Sequence, residues 1–184
     1  MSRFFNPDGG NDATIAPMSH RIPSLAAALA CGLAVTLAGS TPAQSPPQEE
    51  SAMTTPAQGT FDVTVEPVAE EPFADGTSLG RFALDKRYHG DLAATGRGEM
   101  LTAGTPVEGS AAYVAMERVD GTLHGRRGTF LLQHRGTMGH GEQQLEITVV
   151  PDSGTGELVG LEGSLEITIA DGVHSYVLEY TLSR

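Results

Sequence analysis

Apolar and polar residues alternate with a period of two along most of the chain from Phe61 to Leu182, and helical periodicity is nearly absent. Turn dipeptides such as Asp120-Gly121 and Asp171-Gly172 separate the alternating stretches. Short strands joined by tight turns predict an antiparallel sandwich or barrel. This pattern excludes helical bundles and parallel sheets with crossover helices.

Eight strands are predicted in this part of the chain. They cover about residues 61–65, 77–89, 93–103, 110–119, 126–134, 145–149, 158–169 (with a break at Gly163) and 176–182. Sequential hairpins without a large crossover favour an up-and-down meander, and closure would remove the exposed edges of the first and last strands. We therefore predict an all-β fold, a single antiparallel eight-stranded barrel that is mostly up-and-down.

Residues 1–58 differ in composition from the rest. Residues 18–43 combine a short basic start, an apolar Ala- and Leu-rich stretch and a small-residue cleavage motif at Thr41-Pro-Ala43, which is the layout of a secretory signal peptide. Residues 1–17 carry no structural signal. Residues 44–58 are rich in Pro, Gln, Ser and Glu, which predicts a disordered linker. The barrel domain is then expected over residues 59–184.

Two interpretations of the N-terminal region stay open. Cleavage near Ala43 predicts a secreted or periplasmic protein with no stable membrane span after cleavage, whereas translation from Met53 predicts a cytoplasmic one. Cys31 lies in the middle of the apolar run, so it makes a poor lipoprotein site. Because it is the only cysteine, the barrel has no disulfide and no cysteine-based metal site.

The charge of the predicted barrel limits its partners. From residue 59 onward, 19 acidic residues stand against 9 basic residues, which gives a net charge of −10. This balance argues against nucleic acid and anionic membranes as partners. No glycine-rich phosphate loop follows a strand, and no histidines stand at metal-ligand spacing, so we predict no cofactor and no metal. Self-association into a homo-oligomer remains open.

Glu117 and His134 are the candidate catalytic residues. Each shares a strand face with apolar residues, in the stretches 113–119 and 130–134. Loss of solvation is expected to raise the pKa of Glu117, which suits a general acid or base. The alternatives are a buried Glu paired with Arg or His as a structural strut, and a hydrogen-bonded histidine at the barrel rim.

Four further residues are candidate ligand contacts. His89 stands at the end of a strand, where residues at a barrel mouth meet ligands. Glu99 could supply a second carboxylate to a pocket, although a pair with Arg97 or Arg118 is simpler. Tyr113 shares the face of Glu117. Tyr176 shares a face with Leu178, and such tyrosines are more often core rings than ligand contacts.

Many separate blocks of the chain resemble one bacterial family of small uncharacterised proteins. The blocks follow one another in the family's order: Gly59–Phe61, Leu84–Leu92, Gly98–Leu101, Gly109–Tyr113, Glu117, Gly121–Gly125, Gln133–His134, Gly136–Met138, Val149–Leu158 and His174–Tyr176. This family is a domain of unknown function with an allene-oxide-cyclase-like barrel. The resemblance implies the fold over the whole folded part and brings no established activity. Members commonly begin near the counterpart of Met53.

Three functions are compatible with these observations. The first is a barrel that binds an apolar or amphipathic small molecule in its interior. The second is a cofactor-independent isomerase or cyclase that uses Glu117 and His134 as acid and base; it rests on analogy with cyclases of the wider superfamily, because no cyclase motif matches here residue by residue. The third is a non-catalytic envelope protein that acts through its surface.

Overall fold

The computed structural model describes residues 54–183. Eight antiparallel strands form a closed barrel in which each strand pairs with its neighbours in the chain and β8 returns to β1. The strands are β1 Thr55–Pro72, β2 Ser78–Gly90, β3 Leu92–Gly104, β4 Ala111–Leu123, β5 Arg126–Gly139, β6 Glu142–Val149, β7 Leu161–Ala170 and β8 Val173–Leu182. The predicted eight-stranded antiparallel barrel is confirmed. The predicted signal peptide and most of the linker lie outside the described residues.

The two ends of the barrel differ. The β1–β2, β3–β4, β5–β6 and β7–β8 connections lie at one end, which we call the mouth. Towards the opposite end, the inward-facing side chains form the hydrophobic core. They include Leu92, Val119, Leu123, Phe130, Leu132, Leu161, Leu178 and Tyr180, all buried. A short 3-10 helix, Gly156–Leu158, in the β6–β7 connection adds Leu158 to this core.

The barrel begins earlier than the sequence pattern indicated. Residues 55–58 belong to β1 and pair with β8, so the predicted disordered linker does not extend to residue 58. Ala57 is fully buried and lies opposite Leu178 in the ladder. Its burial explains why this Pro- and Gln-rich stretch is ordered: the segment completes the closure between the first and last strands.

Two turn predictions had different outcomes. The Asp171-Gly172 hairpin is confirmed, with φ angles of 51° and 75°. The predicted turn at Asp120-Gly121 is wrong, because β4 continues to Leu123 and the chain reverses at His124-Gly125. Gly121 serves interstrand packing instead, since a Cβ there would collide with the backbone of β3.

The predicted seventh strand also starts later and is unbroken. Leu158 belongs to the 3-10 helix, β7 begins at Leu161, and Gly163 lies inside the continuous strand. The closure between β6 and β7 is short, with a single pairing of Thr148 with Ser164. No helix within residues 54–183 is long and apolar enough to cross a membrane.

Candidate functional site

A cluster of polar side chains occupies the barrel interior between the core and the mouth. It consists of Lys86 and Tyr88 from β2, Glu117 from β4 and His134 from β5. Successive side chains of a strand point to opposite faces, so these positions face inward with the buried residues Leu84, Ala115 and Leu132 on the same strands. Four polar groups therefore meet inside an otherwise apolar barrel.

Glu117 is the centre of this cluster. Its side chain is fully buried. Lys86 Nζ donates to Oε2 over 2.8 Å, and the Tyr88 hydroxyl donates to Oε1 over 2.8 Å. His134 Nε2 lies 3.1 Å from Oε2, within ion-pair distance. Both carboxylate oxygens are therefore occupied by groups of the protein itself.

Gly96 of β3 makes room for this carboxylate. It pairs with Lys86 on one side, and a Cβ at this position would overlap Oε1 of Glu117. The same Cβ would also lie 3.2 Å from the Tyr88 ring. The absence of a side chain at Gly96 is thus a condition for the cluster, and this glycine is needed for space rather than for an unusual backbone angle.

Two opposing effects set the protonation of Glu117. Burial alone would raise the pKa of the carboxyl, but contact with His134 and the charge and hydrogen bond of Lys86 lower it more strongly, to about 2. The expected rise in the pKa of Glu117 is therefore wrong, because the prediction considered desolvation without the buried cation. Burial, together with the neighbouring charge of Glu117, raises the pKa of the Tyr88 hydroxyl well above 10.

The ammonium group of Lys86 is occupied by contacts inside the barrel. Besides Glu117 it donates to the Tyr88 hydroxyl over 3.3 Å. Its ammonium also lies 5.0 Å from the centre of the Phe61 ring, in cation–π range. The side chain is 6% exposed. The charge of Lys86 is thus compensated by a carboxylate, a hydroxyl and an aromatic face.

Above this cluster the barrel opens towards the mouth. Three inward positions there are occupied by the small residues Gly98, Ala115 and Gly136. Around them stand inward-facing apolar side chains that are only half-buried or exposed: Val63, Val65, Phe82, Met100, Tyr113, Met138, Leu145, Ile167 and Ile169. We call this region the cup; its floor is the Lys86–Glu117–His134 cluster. An apolar wall over a polar floor is typical of small-molecule sites.

One imidazole nitrogen near the floor lacks a polar partner. His134 Nε2 is not that atom, because it lies 3.1 Å from Glu117 Oε2. It is Nε2 of His174, whose ring lies 5.1 Å from that of Phe61. Leaving a buried polar atom unpaired costs about 1–3 kcal/mol. Such atoms mark positions where a further polar group would be stabilising.

Residues 57–180 match the model of a family described as a protein of unknown function (DUF3224). The chain belongs to the DUF3224 family. A crystal structure of a DUF3224 protein of unknown function from Shewanella oneidensis MR-1 is 47% identical, with a TM-score of 0.68, and the match covers 72% of this chain and 99% of that chain. Among curated proteins, no sequence matches this chain significantly.

The six predicted site residues lie in different parts of the DUF3224 barrel. Glu117 and His134 come together at the floor of the cup, and Tyr113 lies half-buried in the cup, where its ring covers Gly136. His89 lies on the outer surface and pairs with Asp62 over 3.0 Å. Glu99 is exposed on the outer face of β3.

Tyr176 has a structural position in the core of the DUF3224 barrel. It is 2% exposed. Its hydroxyl accepts a hydrogen bond from the backbone N–H of Leu92 and donates one to the backbone carbonyl of His89. These bonds join the start of β3 to the end of β2, and they leave the hydroxyl no free position towards the cup.

Sequence analysis missed Lys86, Tyr88 and His174. The signal for the first two was present, because Leu84, Lys86 and Tyr88 alternate on one strand face that is otherwise apolar. For His174 it was the alternation with Tyr176 and Leu178. A lysine at such a position is easily assigned to the surface, since lysine is almost never fully buried unless it is paired.

Surface depressions and metal-ligand clusters are two other kinds of possible site in the DUF3224 barrel. The two best-formed depressions, of about 520 and 500 Å³, are open hollows between side chains on the outside of the barrel, one near Arg87 and Asp120 and the other near Glu162 and Glu179. Neither is lined by Lys86, Glu117 or His134. Among residues 54–183, no three His, Cys, Asp or Glu side chains converge as metal ligands.

Proposed function

We propose that this DUF3224 barrel binds an apolar or amphipathic small molecule in the cup. The observation that carries the proposal is the combination of an apolar wall with a polar floor, beside which the buried Nε2 of His174 has no hydrogen-bond partner. A ligand would cover the half-exposed wall residues, and its polar group would supply the missing partner of His174 Nε2. Burial of the wall contributes about 25 cal/mol for each Å² of apolar surface removed from water.

The composition of the cup supports this proposal. The inward positions 98, 115 and 136 carry Gly, Ala and Gly, with the backbone of Met116 lying against Gly98 and the Tyr113 ring against Gly136. Met100 and Met138 stand near the rim, and flexible methionine side chains adapt to ligands of different shape. The interior is therefore filled below the cluster and lined by small or adaptable side chains above it.

The alternative of an isomerase or cyclase has less support. A carboxyl whose pKa is about 2 is a weak base at neutral pH, and both oxygens of Glu117 already accept contacts from Lys86 and Tyr88. The resemblance of the sequence to allene-oxide-cyclase-like barrels implies a fold and carries no residue of a mechanism. The third alternative, action through the surface, predicts that blocking the cup has no consequence.

Blocking the cup tests the proposed binding function. Val63 of β1 faces the cup and is half-buried, while the neighbouring Thr64 faces the outside. We expect wild type and Thr64→Phe to bind the neutral apolar dye Nile red at one site per barrel, with a rise in fluorescence. Val63→Phe should lose at least about tenfold in affinity, because its ring occupies the space of the ligand. Equal binding by the two variants would contradict a site in the cup.

The location of the protein in the cell is a separate proposal. We infer that the chain is exported and cleaved near Ala43, because residues 18–43 have the composition of a signal peptide. N-terminal sequencing of protein from the native host tests this inference. A mature N-terminus at Gln44 supports export, and one at Met53 overturns it in favour of a cytoplasmic protein.

A further inference from the structure

The charge balance of the floor limits which ligands the cup can accept. We propose that the cup takes neutral amphiphiles, with an apolar chain and a hydroxyl, carbonyl or amide group, and rejects fatty-acid anions. This inference rests on the proposed binding function and adds the chemical class of the ligand. It depends on how Lys86 is compensated, on the charges at the mouth and on the hydrogen-bonding atom that remains free.

Lys86 is the only cation of the floor, and it is not available to an anionic ligand. Its ammonium is 2.8 Å from Glu117 Oε2, donates to the Tyr88 hydroxyl and lies against the Phe61 ring. The charges of Lys86 and Glu117 offset each other, so this pair has no net charge. A fatty-acid carboxylate entering the cup would lose its hydration without gaining a free cation, which is strongly unfavourable.

The mouth adds a second barrier to anions. Its four connections, residues 73–77, 105–110, 140–141 and 171–172, contain no Lys or Arg. Three of them carry a carboxylate, at Asp75, Glu108 and Asp171. The field of these groups lowers the local concentration of anions at the entrance, and the acidic surface of the whole barrel acts in the same direction. A neutral ligand is not affected by this field.

The free hydrogen-bonding atom beside the floor fits a neutral polar group. His174 Nε2 is buried and unpartnered, whereas His134 Nε2 lies 3.1 Å from Glu117 Oε2. A neutral imidazole nitrogen either donates or accepts one hydrogen bond, depending on the tautomer. A hydroxyl or an amide can pair with either tautomer, and a carbonyl can pair with the tautomer that donates. Among the described inward-facing residues, no further ammonium or guanidinium is available to pair with a carboxylate.

Methionine methyl groups provide the test of this inference in the full chain. Met100 and Met138 face the cup, while Met116 lies on the outer face of β4 and serves as an internal control. Protein with ¹³C-labelled methionine methyls is titrated at pH 7.5 with decan-1-ol and, separately, with decanoate. We expect decan-1-ol to shift the Met100 and Met138 signals, with at least about tenfold tighter binding than decanoate.

Glu117→Gln should weaken or cancel the preference for decan-1-ol, because it leaves Lys86 without a counter-ion. Decanoate is expected to bind this variant at least about tenfold more tightly than it binds wild type, and to raise its melting temperature. Glu99→Gln, on the outer face of β3, removes an equal charge and should change neither ligand's affinity. The double variant Lys86→Met/Glu117→Gln carries neither charge and should keep the preference for decan-1-ol, so it tests the inference if the single variant does not fold.

The outcomes separate this inference from the proposed function. If decanoate moves Met100 and Met138 in wild type as tightly as decan-1-ol does, the cup binds ligands but the neutral class is wrong. A folded Glu117→Gln variant with unchanged decanoate affinity, or a double variant that prefers decanoate, would also overturn the neutral class. If neither compound moves these two methyls at concentrations near its solubility, the binding function fails and the inference fails with it.

Discussion

Gly96 and Glu117 occupy adjoining space on neighbouring strands, and the carboxylate fills the volume that a Cβ of residue 96 would take. This relationship ties a glycine of β3 to a buried charge of β4. The carboxylate could move to admit a methyl group, but it would then lose the hydrogen bond from Tyr88 and the contact with Lys86. The position therefore tests whether the cluster is held in one geometry.

Gly96→Ala is expected to lower the free energy of unfolding by about 2 kcal/mol, since it displaces a buried, hydrogen-bonded carboxylate. Urea denaturation measures the change. Gly139→Ala is the matched control, because its Cβ would meet only the Ser110 side chain, at 3.4 Å. Equal stability of the two variants would show that the carboxylate moves without cost.

The Lys86–Glu117 pair is expected to behave as one unit. Lys86→Met removes the ammonium partner of the buried Glu117, and Glu117→Gln leaves the buried Lys86 without a counter-ion, so each should cost about 3–5 kcal/mol. The double variant should cost clearly less than the sum of the two, because it leaves no unpaired charge. A double-mutant cycle from urea denaturation measures this coupling. Additive effects would mean that the two side chains do not stabilise each other.

Stability should depend on pH through Glu117. Its pKa is about 2 in the folded chain, whereas the ordinary value, expected in the unfolded chain, is 4.5. Between pH 2 and pH 4.5 the unfolded chain therefore binds more protons than the folded chain. The contribution is complete above about pH 4.5 and is lost as pH falls towards 2; it amounts to about 3 kcal/mol. Urea denaturation across this pH window should show that the free energy of unfolding falls more steeply in wild type than in Lys86→Met/Glu117→Gln. Parallel curves would contradict the lowered pKa.

Tyr88 should remain protonated in the folded barrel. Burial and the nearby Glu117 carboxylate raise the pKa of its hydroxyl well above 10. Titration of native protein at 295 nm should therefore give the same absorbance change up to pH 11 in wild type and Tyr88→Phe. A smaller change in the variant would show that Tyr88 ionises in the native state. The same variant should lower the free energy of unfolding by about 1–2 kcal/mol, through loss of the bond to Oε1.

The fold could be predicted because the alternation of apolar and polar residues along each strand shows which face of the strand is buried. In β4 and β5, for example, inward and outward residues alternate without interruption around Glu117 and His134. The same alternation identified these two residues as polar groups on an apolar face. Where the pattern failed, at residues 120–121, a glycine required by the neighbouring strand imitated a turn signal.

The rest of the site depends on register, which is not encoded in any single stretch. Lys86, Glu117 and His134 lie on three different strands, and the pairings of Lys86 with Gly96 and Ala115 with His134 bring them to one level. Without that register, the buried lysine had no visible partner, and Glu117 was assigned the pKa of an uncompensated carboxyl. The direction of the shift was therefore wrong even though the residue was correctly selected.

The most direct measurement of the central claim is native mass spectrometry of the full chain purified from its own host. A barrel that binds a small molecule in the cup should carry one additional small mass per chain in wild type and in Thr64→Phe. Val63→Phe, with its ring in the cup, should lose that mass. Bare protein in all three, or the same bound mass on Val63→Phe as on wild type, would contradict ligand binding in the cup.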